Sequence, residues 1–169
     1  QAAEFGVFDE MEIGASSLDL AAILDIELEA IQGLYGSPMG WWTLHEDTDI
    51  MADIEERLGR YPGMACSPYI GGAWTALDVM SEIDSFDSSE QFVEEMRGRE
   101  WSRKPYGEDA GGQYYRECDH RSPQPGLVMK AKSEADARNE YDLLELLEMV
   151  PPDELFLECE NTGCDMGEP

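Results

Sequence analysis

Three cysteines and one histidine have the types and spacing closest to a chemical site. Cys118 and His120 end one predicted strand, and Cys159 and Cys164 follow another. Thiolate and imidazole groups in a set of four are ligands that a tetrahedral Zn²⁺ accepts. The C-x-H and C-x₄-C spacings are not those of standard zinc knuckles, so unlinked thiols or a Cys159–Cys164 disulfide compete with the zinc interpretation. We predict no cofactor and keep zinc as the weaker alternative.

No other spacing in the sequence indicates catalysis. The D-x-D segment at 47–49 lacks the glycine that an EF-hand loop requires. The two histidines stand in no nucleophile or metalloprotease motif, and residues 107–112 lack the Lys-Ser/Thr ending of a phosphate-binding loop. With 38 acidic residues, no particular carboxylate pair is marked out for acid–base chemistry. We therefore predict that the chain is not an enzyme.

Acidic side chains dominate the composition. The 169 residues include 38 Asp and Glu against 11 Lys and Arg, for a net charge of −27. Residues 1–56 and 139–169 contain no base at all, whereas 57–138 holds all eleven. Such a field repels nucleic acid and anionic lipid and attracts basic surfaces. Solubility or a high-salt habitat is the alternative explanation, and the basic cluster at 97–104 is expected to pair with the chain's own acids.

The clearest helix signal covers residues 133–149, SEADARNEYDLLELLEM. Ser133 and Asp136 form an S-x-x-D start signal, and Pro151 follows the predicted end. Apolar residues recur at i, i+3, i+4 and i+7, which predicts one buried stripe: Leu143, Leu146, Leu147 and Val150. The opposite face of this helix would collect Glu134, Asp142, Glu145 and Glu148.

A shorter predicted helix, at 47–58, has a second acidic face. Carboxylates four residues apart on a helix lie about 5–6 Å from one another, which is close to the phosphate spacing along a DNA strand. We predict that the two helices present one partner-binding surface, made of Asp49, Asp53, Glu56, Glu134, Asp142, Glu145 and Glu148. Neutralising acids of this surface is expected to leave folding intact.

The pattern changes along the chain and predicts an α+β fold. Capped helical patterns occupy about 16–97, and a β-β-α-β unit covers about 113–160. We expect a single domain, 1–169, with a possible division into a mainly helical part, 1–104, and an α/β part, 105–169. Its predicted helices and strands are 18–32, 48–58, 73–83, 88–97, 113–118, 127–132, 133–149 and 155–159. The predicted core includes Leu20, Ile23, Leu24, Leu28, Leu143 and Leu147. The helix at 73–83 is predicted from the helical spacing of Trp74, Leu77 and Met80.

The size and acidity of the chain are similar to those of a known class of proteins. The chain resembles the small acidic phage and plasmid proteins that mimic DNA and block restriction or CRISPR enzymes, although no motif carries the likeness. The resemblance implies a non-enzymatic inhibitor in the basic nucleic-acid-binding groove of a partner protein. It also implies no direct contact with nucleic acid or membrane, and the cytoplasm of a host cell as its location. An acidic structural or assembly protein of a virion or larger complex is the alternative.

The sequence shows no signal for a membrane or for export. No apolar run reaches the roughly 18 residues of a membrane span. The N-terminus lacks a basic-then-apolar signal peptide, and Gln1 is expected to follow a segment that has been removed.

Overall fold

The chain divides into two compact units. Unit 1 comprises Gln1–Ser67 and Gly126–Val150, and unit 2 comprises Pro68–Pro125 and Pro151–Pro169. The computed structural model describes residues 4–45, 48–63, 66–83 and 89–164. Within these ranges, no helix combines the length and the apolar character that a membrane crossing needs.

The described elements make the fold α+β, as the sequence predicts. The helices are α1 (Val7–Glu10), α2 (Leu20–Ile23), α3 (Leu28–Ile31), α4 (Thr48–Leu58), α5 (Cys66–Glu82), α6 (Ser89–Met96) and α7 (Pro152–Leu155). The strands are β1 (Gly14–Ala15), β2 (Tyr35–Gly36), β3 (Gly126–Ala131) and β4 (Leu144–Val150). Short 3₁₀ helices lie at Trp42–Leu44, Glu108–Ala110 and Cys159–Asn161.

Unit 1 is built on a four-stranded sheet in the order β1-β2-β3-β4. The β1–β2 pair is parallel, and the other two pairs are antiparallel. Strand β3 alternates regularly, with Leu127, Met129 and Ala131 buried, as expected of a strand with one face against a core. Strand β4 has one extra residue, Leu147, between the partners of Val128 and Met129, which is a β-bulge.

The long helix predicted over 133–149 is wrong. Residues 134–136 form a turn, and the chain then returns as β4, paired with β3. The Ser133 hydroxyl donates to the Asp136 carboxylate at 2.6 Å, so the S-x-x-D signal closes a turn instead of capping a helix. The Asn139 side chain accepts from the backbone N–H of Tyr141 at 2.9 Å and closes a second turn. Tertiary pairing with β3 therefore overrides the helical spacing of the leucines.

Three other predicted elements differ from the structure. The helix predicted at 18–32 is two single turns, α2 and α3, separated by Leu24–Glu27. The strand predicted at 113–118 is reduced to one bridge between Glu100 and Tyr114. The strand predicted at 155–159 is replaced by the end of α7 and the start of a 3₁₀ helix. The predicted β-β-α-β unit is therefore wrong, although its strand at 127–132 is confirmed as β3.

The core of unit 1 contains four of the six predicted residues: Leu20, Ile23, Leu28 and Leu143. Leu24 is only half-buried, and Leu147 is 48% exposed, so the prediction is wrong for Leu147. The reason is the change from helix to strand. In β4 the buried position is Leu144, and Leu147 is the bulge residue.

Unit 2 packs the small side of α5 against an aromatic residue. A Cβ atom added at Gly71 would lie 2.2 Å from Cε3 of Trp101, so only glycine allows this approach. One turn later, the Thr75 hydroxyl donates to the Gly71 carbonyl and accepts from the backbone N–H of Ser102. Val79 continues this buried face. The helix predicted at 73–83 is confirmed as part of α5. The residues whose spacing predicts it lie on its more exposed face: Trp74, Leu77 and Met80.

The basic cluster at 97–104 pairs with acids of unit 2, as expected. Arg99 forms two hydrogen bonds with the Glu82 carboxylate, at 2.6 and 2.8 Å. Lys104 bridges Glu100 and Glu108 at 2.8 and 2.7 Å. These ion pairs are largely solvent-exposed on their acidic side and each contributes little to stability.

Candidate functional site

The cysteines form a disulfide instead of a metal site. Cys118 and Cys159 are bonded to each other, with their Cα atoms 5.8 Å apart, and Cys164 has an exposed free thiol. Both the predicted zinc set and the alternative Cys159–Cys164 pairing are therefore wrong. Over the described ranges, no group of three or more His, Cys, Asp and Glu residues is arranged to hold a metal ion.

Six of the seven acids of the predicted surface are exposed, and one is buried. Asp49, Asp53 and Glu56 are exposed on α4, and Glu134 is exposed in the turn after β3. Glu145 and Glu148 are exposed on β4, where the bulge at Leu147 sets both of them opposite outward-facing residues of β3. Asp142 does not belong to this surface, because it is completely buried. Contact of the exposed acids with a partner stays a prediction.

Asp142 is the anchor of a buried charge cluster. Its carboxylate accepts hydrogen bonds from Nε and Nη2 of Arg138, at 2.6 and 3.1 Å, and from the Arg138 backbone N–H at 3.2 Å. The ammonium of Lys132 lies 2.9 Å from the same carboxylate. Burial alone would raise the pKa of Asp142, but these donors outweigh it and hold the pKa at about 2. The carboxylate is therefore ionised and fixes the position of Lys132.

A cleft of unit 1 includes Lys132 of this cluster in its lining. It has a volume of about 570 Å³, within the usual size range of small-molecule sites. It is open on one side and predominantly polar. The lining residues come from α1, α3, β3, β4 and the turn after β3: Gly6, Phe8, Glu29, Gln32, Gly33, Lys130, Ala131, Lys132, Ser133, Asp136 and Glu145.

Two lysines supply the positive charge of this cleft. Lys130 and Lys132 are two residues apart at the end of β3, so they extend from the same face of the sheet. Lys132 is held in an ion pair with Asp142, which it shares with Arg138. The Lys130 ammonium lies 5.0 Å from the centroid of the Tyr35 ring, in a cation–π contact, and forms no ion pair with any described residue. Lys130 is therefore the cation that an anionic ligand group would meet.

Three carboxylates supply the negative charge. Glu29 lies on α3, Glu145 on β4 opposite Lys130 in the strand register, and Asp136 in the turn after β3. Glu29 and Glu145 are exposed, so they can pair with a ligand without first losing an internal partner that the structure describes. The half-buried ring of Phe8 gives the cleft an apolar wall. The arrangement suits a small molecule with both a cationic and an anionic group.

A glycine keeps the floor of the cleft close to Lys130. Gly33 has a φ of +83°, which glycine adopts without strain. Its N–H donates to the carbonyl of Ala131, and the N–H of Ala131 donates to the carbonyl of Leu34, at 3.0 and 2.8 Å. These bonds hold the loop after α3 along β3, so Glu29 and Lys130 line the same space.

Among the charged residues of this cleft, only Glu145 belongs to the surface predicted from the sequence. Lys130 and Lys132 lie in the strand predicted at 127–132 but in no predicted site. The alternation Lys130–Ala131–Lys132 was the available signal, because it places two cations on one face of a strand in a segment otherwise poor in bases.

Comparisons with known proteins bear on the family and the fold. Residues 1–137 match the sequence model of a family described as periplasmic binding protein. The chain has no significant match among curated proteins.

Several solved structures have a similar fold. One is an amino acid ABC transporter substrate-binding protein from Pseudomonas fluorescens Pf-5, with a TM-score of 0.83 at 21% identity over 98% of this chain and 43% of that one. A periplasmic binding protein from Burkholderia mallei gives a TM-score of 0.80 at 18% identity, over 99% of this chain and 43% of that one. A branched chain amino acid ABC transporter periplasmic ligand-binding protein from Burkholderia xenovorans LB400 gives 0.74 at 17% identity, over 91% and 40%. The chain thus spans less than half the length of each protein, and the likeness shows the fold.

Proposed function

The chain belongs to the periplasmic binding protein family, and from this premise we propose that it binds a small amphoteric molecule, of the amino acid class, in the cleft of unit 1. The observation that carries the proposal is the pairing of opposite charges in one cleft. Lys130, Glu29 and Glu145 line the same cleft, whose volume of about 570 Å³ accommodates a small molecule.

Family membership overturns the predicted function. A member of the periplasmic binding protein family is not a DNA-mimicking inhibitor of restriction or CRISPR enzymes, nor a virion assembly protein, so both functional predictions are wrong. The predicted basic nucleic-acid-binding partner and the predicted cytoplasmic location are wrong for the same reason. The prediction that the chain is not an enzyme is confirmed, since the family consists of non-enzymatic ligand binders.

Each ligand group has a partner of opposite charge in the proposed complex. The Lys130 ammonium, which lies over the Tyr35 ring, pairs with the ligand carboxylate. Glu29 and Glu145 pair with the ligand ammonium, and Phe8 contacts the ligand's side chain. Charge-assisted hydrogen bonds are the strong ones, and removing one ligand charge loses the contacts made by that group.

An oxidising compartment is part of the proposal. The Cys118–Cys159 disulfide supports it, because structural disulfides persist in the periplasm and outside cells and are rare where thiols are kept reduced. The proposed partner is the membrane permease of an ABC transporter, to which the protein would deliver its ligand. This proposal is supported by two proteins of the same fold, which are binding proteins of ABC transporters.

A calorimetric panel tests the proposal. Titration of the chain with the common amino acids should give at least one saturable isotherm. For leucine as the reference ligand, N-acetylleucine lacks the cation and leucinamide lacks the carboxylate. We expect each derivative of the best ligand to bind at least about tenfold more weakly, because one charge-assisted contact is worth more than about 1.4 kcal/mol. Saturable binding that ignores both modifications, or no binding across the panel, would refute the proposal.

A further inference from the structure

The cleft of unit 1 has more carboxylates than a zwitterionic ligand needs. Its lining contains two bases and three acids: Lys130, Lys132, Glu29, Asp136 and Glu145. Lys132 is already in an ion pair with the buried Asp142. One cation and three carboxylates are therefore available to a ligand. A zwitterion pairs with Lys130 and with the two carboxylates assigned to its ammonium, and the third carboxylate, Asp136, is left over.

Asp136 is held in place by the turn after β3 and keeps one oxygen open. Its backbone N–H donates to the Ser133 carbonyl at 3.1 Å, and the Ser133 hydroxyl donates to Oδ2 of Asp136 at 2.6 Å. Oδ1 of Asp136 has no partner within the part of the chain that the structure describes, and the residue is exposed. Because the turn already orders this carboxylate, little side-chain entropy opposes the binding of a cation to it.

The rest of the lining suits a side chain with a polar end. Phe8 is the only large apolar side chain among the described lining residues, and it is half-buried. Gln32 is exposed in the same lining and offers an amide oxygen as a further acceptor. The volume of about 570 Å³ is in the range of drug-sized ligands, so an extended side chain fits. A methylene stem with a cationic end therefore matches this lining better than a short aliphatic group.

The charge of the surrounding unit favours the same kind of ligand. Unit 1 has twenty acids against five bases. A surplus of this size raises the concentration of small cations near the surface and repels anions, and added salt screens the effect. A ligand with a net positive charge is therefore attracted to the cleft, and an acidic amino acid is repelled.

We propose that the ligand of this cleft is a dibasic amino acid, such as arginine or lysine, and that Asp136 binds its side-chain cation. This rests on the proposed function, because the α-carboxylate and α-ammonium keep their contacts with Lys130, Glu29 and Glu145. The side-chain guanidinium or ammonium donates to Oδ1 of Asp136, and the methylene stem packs against Phe8. The additional positive charge of the ligand offsets the additional carboxylate of the lining.

Two pairs of ligands that differ in side-chain charge test the preference on the full chain. Arginine is compared with citrulline, in which a neutral ureido group replaces the guanidinium, and lysine with norleucine, which lacks the side-chain ammonium. We expect calorimetry to show at least one dibasic amino acid binding at least about tenfold more tightly than its neutral partner. Equal affinities in both pairs, or tighter binding of the neutral members, would overturn this proposal and leave the proposed function standing. No binding by any amino acid would refute both.

A variant of Asp136 identifies the partner of the side-chain cation. Asp136→Asn removes the charge and keeps an acceptor for the Ser133 hydroxyl. Glu134→Gln is the matched control, because Glu134 is exposed in the same turn but does not line the cleft. We expect Asp136→Asn to lower the ratio of arginine affinity to citrulline affinity at least about fivefold, and the control to change it less than twofold, at unchanged melting temperatures. An unchanged ratio in Asp136→Asn would show that another group binds the cation and would overturn the proposal. The ligand pairs test the preference on the parent chain even if this variant fails to fold.

Discussion

Asp142 has a different role in the structure from the one that its position in the sequence predicts. Asp142 was predicted to be one of seven exposed acids, and neutralising it was expected to leave folding intact. In the structure it is buried between Lys132 and Arg138. No local pattern distinguishes it from the exposed Glu145 three residues later, because its partners come together only when the turn after β3 has formed.

Asp142→Asn should destabilise the protein. The substitution leaves the half-buried Lys132 ammonium without its counter-charge, which costs about 2–4 kcal/mol in the free energy of unfolding. Glu148→Gln is the matched control and should change it by less than about 0.5 kcal/mol, since Glu148 is exposed. Urea denaturation followed by circular dichroism measures both. Equal stability of the two variants would contradict the ion pair between Asp142 and Lys132.

The pH dependence of stability provides a second test of the same residue. The pKa of Asp142 is lowered from 3.8 to about 2 by folding. A group of this kind contributes stability that is complete above its unfolded pKa and lost as the pH falls through its folded pKa. Its contribution should therefore be about 2 kcal/mol at pH 6 and disappear between pH 4 and pH 2. The stability difference between the parent and Asp142→Asn should shrink in that window; a difference that stays constant down to pH 2 contradicts the assignment.

At the scale of elements, the spacing of the leucines in 143–150 does not distinguish a helix from a strand. Their spacing fits a buried helical stripe, and it also fits a strand with one bulge. The sequence contained no information on the pairing with β3, which lies before the turn and supplies the hydrogen bonds that select the strand. Local turns at Ser133 and Asn139 were readable in principle, because both residue types favour side-chain-to-backbone bonds over helix interiors.

Two leucine substitutions distinguish these arrangements. Leu144→Ala should cost about 2–5 kcal/mol because Leu144 is 1% exposed in the core of unit 1. Leu147→Ala should cost less than about 1 kcal/mol, because Leu147 is the half-exposed bulge residue. The helix would have required a large cost at Leu147. Chemical denaturation of both variants checks the order, and a larger loss at Leu147 would contradict the strand.

The disulfide is the covalent link within unit 2. It joins residues 41 apart in sequence, and closing a loop of that length is worth about 4 kcal/mol in the chain-entropy account. Reduction, or replacement of Cys118 and Cys159 by Ala, should lower the free energy of unfolding by about 2–5 kcal/mol. Cys164→Ser should have no effect because that thiol is free and exposed. A metal chelator should leave the melting temperature unchanged; a large decrease with chelator and none with reductant would restore the zinc interpretation.

At the scale of the whole molecule, net charge was the strongest signal and the most misleading one. A charge of −27 describes how the protein interacts with other charged surfaces, and it carries no information on fold or site. The acids are spread over both units: unit 1 has twenty acids and five bases, and unit 2 has eighteen and six. The proposed function depends instead on one of the few bases, since Lys130 would bind the anionic group of the ligand in the cleft of unit 1.

What the sequence did predict at this scale is the α+β class and the absence of enzymatic chemistry. Both rest on patterns that survive without tertiary information: helical periodicity over α4, alternation over β3, and the lack of any catalytic motif. The cleft could not be predicted from the sequence, because its lining comes from residues between 6 and 145 that meet only when β3 pairs with β2 and β4.

The role of Lys130 is the central claim, and one titration tests it most directly. The amino acid that binds best in the calorimetric panel is titrated into the parent chain, Lys130→Gln and the control Lys104→Gln, whose ammonium is paired with Glu100 and Glu108 in unit 2. We predict that Lys130→Gln raises Kd at least about tenfold, equivalent to 1.4 kcal/mol or more, at an unchanged melting temperature. Lys104→Gln should change Kd by less than about twofold. Equal affinity of the parent and Lys130→Gln would contradict the assignment of this cleft as the ligand-binding site.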